Sequence, residues 1–591
     1  MAEKLLKEYL YGDLLAPEEG YVTDFAVGMT YSLGFDALMT AYLAFGMLDD
    51  VSDDALGMPH LLLDAVSRSS DKVVVLCNKG GIAAPPSMQK VYSLMERNIY
   101  EVFDRNDLSA NFHPKLWLIR EVKKDEPGKK QIKLIVTSRN LKFTETMDCV
   151  ACLKGEVGDK VHDDKHRPLA DFVKDISECS NIIDDRKEAV MDLVDDLMKV
   201  ERFDVSHPFE DYDFIPYVFK SRSKFPLGSS DGNVQLQGTC TIVVSPFIDL
   251  RPLNDPQNIL NKINPKCENS RYLVTRREYV TKEILKWFTG VYVCNDDVAA
   301  SGADLHAKMY HIWSNRHNQY LFMGSANATY SAFNRNVEFL LRLKYKYGNI
   351  KDTEFLMGFY CKDDSDSRFV LMTEDDLIGQ DTASSNAADR QLEKRLKELM
   401  CDENLKAVVN PVDGARYSVT LTSDMADASV FIAPMQKASE LKPWAQQVVF
   451  ENLEVDELSE FYMISAKRED GGFIEKVIKI STEGIPADRD KAIYKGVIRT
   501  RKDFYTFLKL MLSDLPQSYL VGGADDVSSR QGGADENDRT IYTDLYESLL
   551  RTAATEPEKI GKVQEIIKRL DADVVPEEFS RLIAHFVEAI Q

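Results

Sequence analysis

The sequence predicts an α/β protein made by duplication: two tandem lobes, each a mixed sheet flanked by helices, then a small β-rich domain and a C-terminal helical segment. Three observations predict it. A His-x-Lys that opens an apolar run occurs twice, as Asn111-Phe-His113-Pro-Lys115-Leu-Trp-Leu-Ile and as Asp304-Leu-His306-Ala-Lys308-Met-Tyr. Each is followed by a polar hairpin and a second apolar run ending in Ser-x-Asn, at Ser138-Arg-Asn140 and Ser325-Ala-Asn327. Upstream, each copy shows the same order of apolar strand, helical pattern and short strand, which is the mark of an internal repeat.

The first lobe spans 1–205. Phe25 to Leu33 reads as a strand and Phe35 to Met47 as a helix. The apolar stretch Ala26 to Leu48 is long enough to mimic a membrane span, but Asp36 at its centre, with Gly28 and Gly34, favours a buried strand and helix. Val73 to Cys77 is a short strand, and after Asn140 the run Met-Asp148-Cys-Val-Ala-Cys-Leu resumes a strand with one acid near its start. The second lobe, 206–372, repeats this with Cys240 to Ile248, a helix near Gln257 to Ile263, a strand at Tyr272 to Thr275, and Glu338 in Asn-Val-Glu-Phe-Leu-Leu-Arg-Leu. A connecting helix from Thr373 to Met400 fills 373–410. Alternation in Tyr417 to Ser423, Ala428 to Pro434, Gln446 to Asn452, Glu460 to Ala466 and Glu475 to Ser481 predicts five strands of a small β-sandwich or barrel within 411–521, ending in a helix at Lys502 to Leu512. The Gly-, Ser- and Asp-rich stretch 522–538 reads as a flexible linker with few contacts, and 539–591 as two to four helices.

Composition narrows the class. The 591 residues carry a net charge of −23, so the chain is no polycation that coats nucleic acid, and phosphate binding must come from a local pocket. The N-terminus lacks a signal-peptide pattern, and the 9 cysteines are too sparse for a disulfide scaffold, so a soluble cytoplasmic protein is expected. Cys149 and Cys152 form a CxxC without a second pair and read as structural. His162 and His166 read as part of a solvated loop. Neither a Gly-rich phosphate loop nor HExxH is present, and no metal or other cofactor is expected.

Chemistry follows from pairing the copies. One His-x-Lys sets an imidazole and an ammonium on one face of a strand, and the Asn on the next strand adds an amide. Two such sets facing each other surround one phosphorus. One His attacks, the other protonates the leaving oxygen, and the lysines and amides stabilise the non-bridging oxygens. The expected catalytic residues are therefore His113, Lys115, Asn140, His306, Lys308 and Asn327, supported by Ser138 and Ser325.

These residues resemble the paired motifs of the phospholipase D superfamily, H-x-K-x4-D followed by G/S-S-x-N: His113-Pro-Lys115 with Thr137-Ser138-Arg-Asn140, and His306-Ala-Lys308 with Gly324-Ser325-Ala-Asn327. The chain departs from the motif at its Asp, where Arg120 and Trp313 stand. Such HKN-type sites are similar to those of tyrosyl-DNA phosphodiesterase, so the resemblance implies nucleic-acid phosphodiesters, DNA rather than RNA. It covers residues 20–350. It also implies that His113 is the nucleophile and His306 the general acid and base, with Glu338 placed to orient a histidine and Asp148 as its looser counterpart. The C-terminal part resembles that of long bacterial phospholipase-D-like proteins, which implies a helicase or ATPase partner and a role in anti-phage defence.

The leading expectation is a metal-independent nuclease working through a phosphohistidine, with Lys115, Lys308, Arg139 and Lys142 supplying local positive charge. Phe112, Trp117, Phe143 and Tyr310 are candidates to stack bases, each more often core. The alternatives are a phospholipase or phosphatidyl transferase, for which no membrane-docking helix is evident, and a non-catalytic subunit that grips DNA. Both half-sites lie on one chain, so chemistry requires no dimer.

Overall fold

Apolar runs without helical period become strands here, and helices or a second sheet cover both of their faces. The computed structural model describes residues 11–46, 58–219, 240–263, 271–295, 304–313, 318–346, 368–377, 387–414, 416–512, 545–554, 557–571 and 573–590. It is a mixed α/β protein with several mixed sheets and helices. Its first part contributes β1 (Tyr21–Thr30), β2 (Val73–Asn78), β3 (Ile82–Ala83), β4 (Ile99–Val102), β5 (Leu116–Lys123), β6 (Glu126–Thr137), β7 (Thr146–Met147) and β8 (Val150–Glu156). One sheet runs β4-β2-β1-β5-β6-β8, with β4, β2 and β1 parallel and the rest antiparallel.

The next part contributes β9 (Asp211–Tyr217), β10 (Cys240–Val244), β11 (Arg271–Val274), β12 (Gly290–Cys294), β13 (Asp304–Leu305), β14 (Met309–Trp313), β15 (Asn318–Gly324), β16 (Glu338–Lys346) and β17 (Phe369–Leu371). Their sheet runs β17-β12-β11-β10-β14-β15-β16-β9. Its central strands, β12-β11-β10-β14-β15-β16, repeat the order and the directions of the first sheet.

Alternate residues of each strand enter different cores. Val73, Val75 and Cys77 pack beneath the helices Phe35–Phe45 and Pro59–Ser69. Val74 and Leu76 enter a second core. That core takes Leu116 and Leu134 from the first sheet, Ile242, Met323 and Leu341 from the second, and Phe172 and Leu193 from the helices Asp163–Cys179 and Asp184–Leu197. The two halves thus share one apolar interior. Val243, Leu273, Phe322 and Leu340 on the far side of the second sheet lie under the short helices Ile259–Lys262, Lys282–Trp287 and Tyr330–Asn334. Burial on both faces is why these strands read as continuous apolar runs.

Residues His162 and His166 depart from the expected solvated loop. The helix begins at Asp163, and His166 is fully buried, its Nε2 paired with the Tyr212 hydroxyl at 2.8 Å. Polar neighbours on the other helix faces hid that burial.

The remaining strands are β18 (Lys406–Asp413), β19 (Arg416–Thr422), β20 (Asp427–Pro434), β21 (Lys442–Trp444), β22 (Gln447–Leu453), β23 (Phe461–Lys467), β24 (Phe473–Lys479) and β25 (Thr482–Glu483). They form the sheets β22-β19-β18-β25 and β21-β20-β23-β24-β3, which face each other across Leu421, Ile432, Trp444, Phe450 and Ile464. β18 lies partly inside the segment expected to connect, and among the described residues the α-helix there is Ala387–Met400. Several contacts bind this unit and the chain beyond it to the first half: β3 pairs with β24, Arg489 pairs with Glu96 and Lys90 with Asp456, and the C-terminal helices join the first core. Tyr494, Phe507, Leu549, Val563 and Phe579 pack with Tyr42 and Leu62. The segment 539–591, expected as a separate helical unit, instead packs into the first core, its Leu and Ile stripes covering an apolar helix face of the first half. The expected linker 522–538 lies outside the described residues. Among the described residues no helix is long and apolar enough to cross a membrane.

Candidate functional site

Each His-x-Lys lies in the turn just before its strand, not within it: Lys115 precedes β5 and Lys308 precedes β14. The two-residue spacing serves a different geometry from the shared strand face expected above. Each ammonium folds back to donate to the carbonyl of its own histidine, Lys115 Nζ to His113 O at 3.0 Å and Lys308 Nζ to His306 O. The turns after β6 and β15 carry the serines and asparagines. Gly324 opens the second of these turns at φ +149°, where a Cβ would lie 2.3 Å from Phe339 O, so a side chain there is excluded.

The acids act across the halves. His113 Nδ1 pairs with Glu338 Oε2 at 2.8 Å, and His306 Nδ1 with Asp148 Oδ1 at 2.8 Å. Each carboxylate is held by the serine of its own half: Ser325 Oγ donates to Glu338 Oε2 at 2.5 Å and Ser138 Oγ to Asp148 Oδ1 at 2.6 Å. A second donor two residues before each acid completes the shell, Asn336 Nδ2 on Glu338 and Thr146 Oγ1 on Asp148. Backbone pairing sets this register. His113 N donates to Val337 O and Val337 N to Asn111 O, while β7 pairs in parallel with β13 beside His306.

Electrostatics follow from burial. Lys115 is 1% exposed and Lys308 0%, and neither has an ion pair among the described residues. Burial and then the charge of Lys308 hold the Lys115 ammonium well below its ordinary pKa; burial pulls Lys308 down to about 7 despite Asp148 and Glu338 nearby. Burial also lowers His113 and His306 to about 4, outweighing their carboxylate partners, so both rings are neutral at pH 7. Burial opposes ionisation of the two carboxyls, yet their histidine and serine partners hold Glu338 and Asp148 below the usual carboxylate range. A neutral ring donating from Nδ1 leaves Nε2 with its lone pair, and neither Nε2 has a partner among the described residues.

The asparagines complete the set. The amide oxygens of Asn140 and Asn327 are buried without a hydrogen bond, a state that costs on the order of 1–3 kcal/mol each. The donors suited to an oxyanion are the two buried ammoniums without ion pairs and the asparagine amide nitrogens, which make no hydrogen bond among the described residues; the unbonded amide oxygens add no donor. No family model matches the chain, and no curated protein matches it. Among the described residues no group of three or more His, Cys, Asp or Glu side chains is placed to hold a metal ion.

The other sequence candidates divide. Phe112, Trp117 and Tyr310 are buried in the cores, whereas Phe143 is 52% exposed beside the exposed Lys142. Arg139 donates to Thr144 O in its own turn. Arg120 is spent on Asp24 and Asp196, and Trp313 stacks on His311 at 3.7 Å, so neither position serves the site. Cys149 and Cys152 are half-buried and their thiols are pushed up by burial.

Three features escaped sequence reasoning. Thr30 and Ser245 bind the turns after the asparagines: their hydroxyls accept from Leu141 N and Ala328 N, both at 2.9 Å. Their matching places at the ends of β1 and β10 were visible in the repeat. Asn336 and Thr146 share no residue type, and Tyr31, whose ring lies against His113, has no copy in the other half.

Proposed function

We propose that the chain is a metal-independent phosphodiesterase of the phospholipase D type, its two sheets the catalytic lobes, cleaving nucleic acid through a phosphohistidine. One observation carries this reading: two buried lysines without counter-ions flank two neutral histidines, each oriented by a carboxylate of the other half. An anionic phosphodiester supplies the missing charge.

His113 Nε2 attacks phosphorus and the bond from phosphorus to the leaving oxygen breaks, while His306, which takes up a proton on Nε2 when the phosphodiester's negative charge enters the pocket, gives that proton to the leaving oxygen. Glu338 stabilises the positive charge that grows on His113. His306 then takes a proton from water, the water oxygen bonds to phosphorus, and the N–P bond breaks to restore His113. Lys115, Lys308 and the amides of Asn140 and Asn327 stabilise the non-bridging oxygens throughout, the role that usually contributes most in such sites.

The test is incubation with plasmid, single-stranded DNA, RNA and phosphatidylcholine, with and without EDTA. Cleavage of DNA that persists in EDTA is expected. Cleavage abolished by chelator and restored by a divalent ion overturns the mechanism, and turnover of phosphatidylcholine alone overturns the substrate.

A further inference from the structure

The duplication breaks at one position in the site. Tyr31 follows Thr30 at the end of β1, and the same place after β10 holds Pro246, since Met29 pairs with Leu116 as Val244 pairs with Met309. The Tyr31 ring meets the His113 ring at 5.0 Å and 60°, an edge contact, and its centroid is 5.8 Å from Lys115 Nζ. His306 has no such ring against it among the described residues.

The segment carrying Tyr31 is fastened on both sides. Leu33 N donates to Gly81 O at 2.9 Å and Ala83 N to Leu33 O at 2.8 Å, while Gly34 N donates to Leu141 O at 2.7 Å. β3, on one side, is itself paired to β24 of the β-rich unit. The other side is the turn that follows Asn140. The Tyr31 hydroxyl makes no hydrogen bond among the described residues, so the ring, not the oxygen, meets the histidine.

We propose that Tyr31 is a positioning residue for His113: its ring holds the imidazole so that Nε2 faces the phosphorus and shields it from water, tying the nucleophile to the first half. This rests on the phosphodiesterase reading for its kinetic consequence but not for its effect on the ring. The charged and titratable groups around His113 are Glu338, Lys115 and Lys308, with the Tyr31 phenol on its first-half side.

Two measurements test it on the full chain. The first is hydrolysis of bis(p-nitrophenyl) phosphate. Tyr31→Phe should keep the wild-type kcat, and Tyr31→Ala should lose on the order of 10–10²-fold in kcat with little change in KM, as expected for a misplaced reacting group. Tyr31→Leu, which keeps the bulk, should fall between them and guards against a folding failure, checked by thermal melting. The second is the pH dependence of hydrogen–deuterium exchange at the His113 ring, read by mass spectrometry. Tyr31→Ala should raise the midpoint at His113 and leave that at His306 unchanged. An inert wild type with this shift present sinks the substrate reading and keeps the positioning role. An unshifted His113, or a Tyr31→Phe variant as slow as Tyr31→Ala, overturns the proposal.

Discussion

Burial that lowers His113 to about 4 and Lys308 to about 7 sets opposite limits on the working pH. In the proposed reaction His113 attacks only when neutral, so protonation through about pH 4 removes the nucleophile. Lys308 balances charge only when protonated, so deprotonation above about pH 7 removes the cation. With an aryl phosphodiester, whose leaving group needs little protonation, kcat/KM should be level near pH 5–6, falling through 4 on the acid side and above 7 on the alkaline side. A pH–rate profile with its acid limb at the ordinary histidine value near 6.5 contradicts the buried, neutral ring. At the same scale, Lys115→Ala and Lys308→Ala should each lower kcat by on the order of 10²–10³, the usual loss of one oxyanion donor. Each variant removes a buried unpaired charge, so its melting temperature should hold or rise. Near wild-type turnover in either would mean that its ammonium does not face phosphorus. These residues were legible because His, Lys, Ser and Asn recur in order; Tyr31 was not, because a single aromatic without a copy looks like any core residue.

The strand and its preceding turn form the unit in which the site was copied, and the copies exchange their acids. Glu338 begins β16 of the second sheet and serves His113; Asp148 stands before β8 of the first and serves His306. Glu338→Gln should therefore slow attack, and Asp148→Asn should slow release of the phosphorylated enzyme. Rates should fall by about 10²- to 10⁴-fold, the range for carboxylates that orient a functional imidazole. Acid-sensitive adduct on His113, measured by mass spectrometry with the aryl substrate, should accumulate in Asp148→Asn and not in Glu338→Gln. The reverse pattern would exchange the roles of the histidines. Sequence showed that each half carries an acid at the start of a strand, because the apolar run around it is unmistakable. It did not show the exchange, since partner choice depends on how two sheets dock and no local period encodes that. The same reason hid the pairing of β3 with β24, where a two-residue strand has no pattern to read.

At the scale of the whole chain, the C-terminal helices belong to the first core. Phe579 is 1% exposed against Phe504 with ring centroids 5.4 Å apart, and Leu549 and Val563 are fully buried. Phe579→Ala should cost about 3–5 kcal/mol by the cavity it leaves, and a chain ending at Leu512 should melt at least roughly 10 °C lower or aggregate, given several lost side chains of that size. An unchanged thermal midpoint in the shortened chain would show that the tail merely rests on the surface. The helical spacing of this tail was legible; its docking was not, because an amphipathic helix states that it needs a partner and not which one.

The exchange of acids also sets when the proposed site can assemble during synthesis of the chain. His113 and Glu338 are separated by 225 positions, and Asp148 and His306 by 158. At roughly 5–20 residues per second, the ribosome needs about 10 to 45 s to pass from the first histidine to its carboxylate. Until then the emerging chain holds His113 and Lys115 with no acid to orient the ring. The proposed site is incomplete for that interval, and both histidines have their acids only once Glu338 has been made.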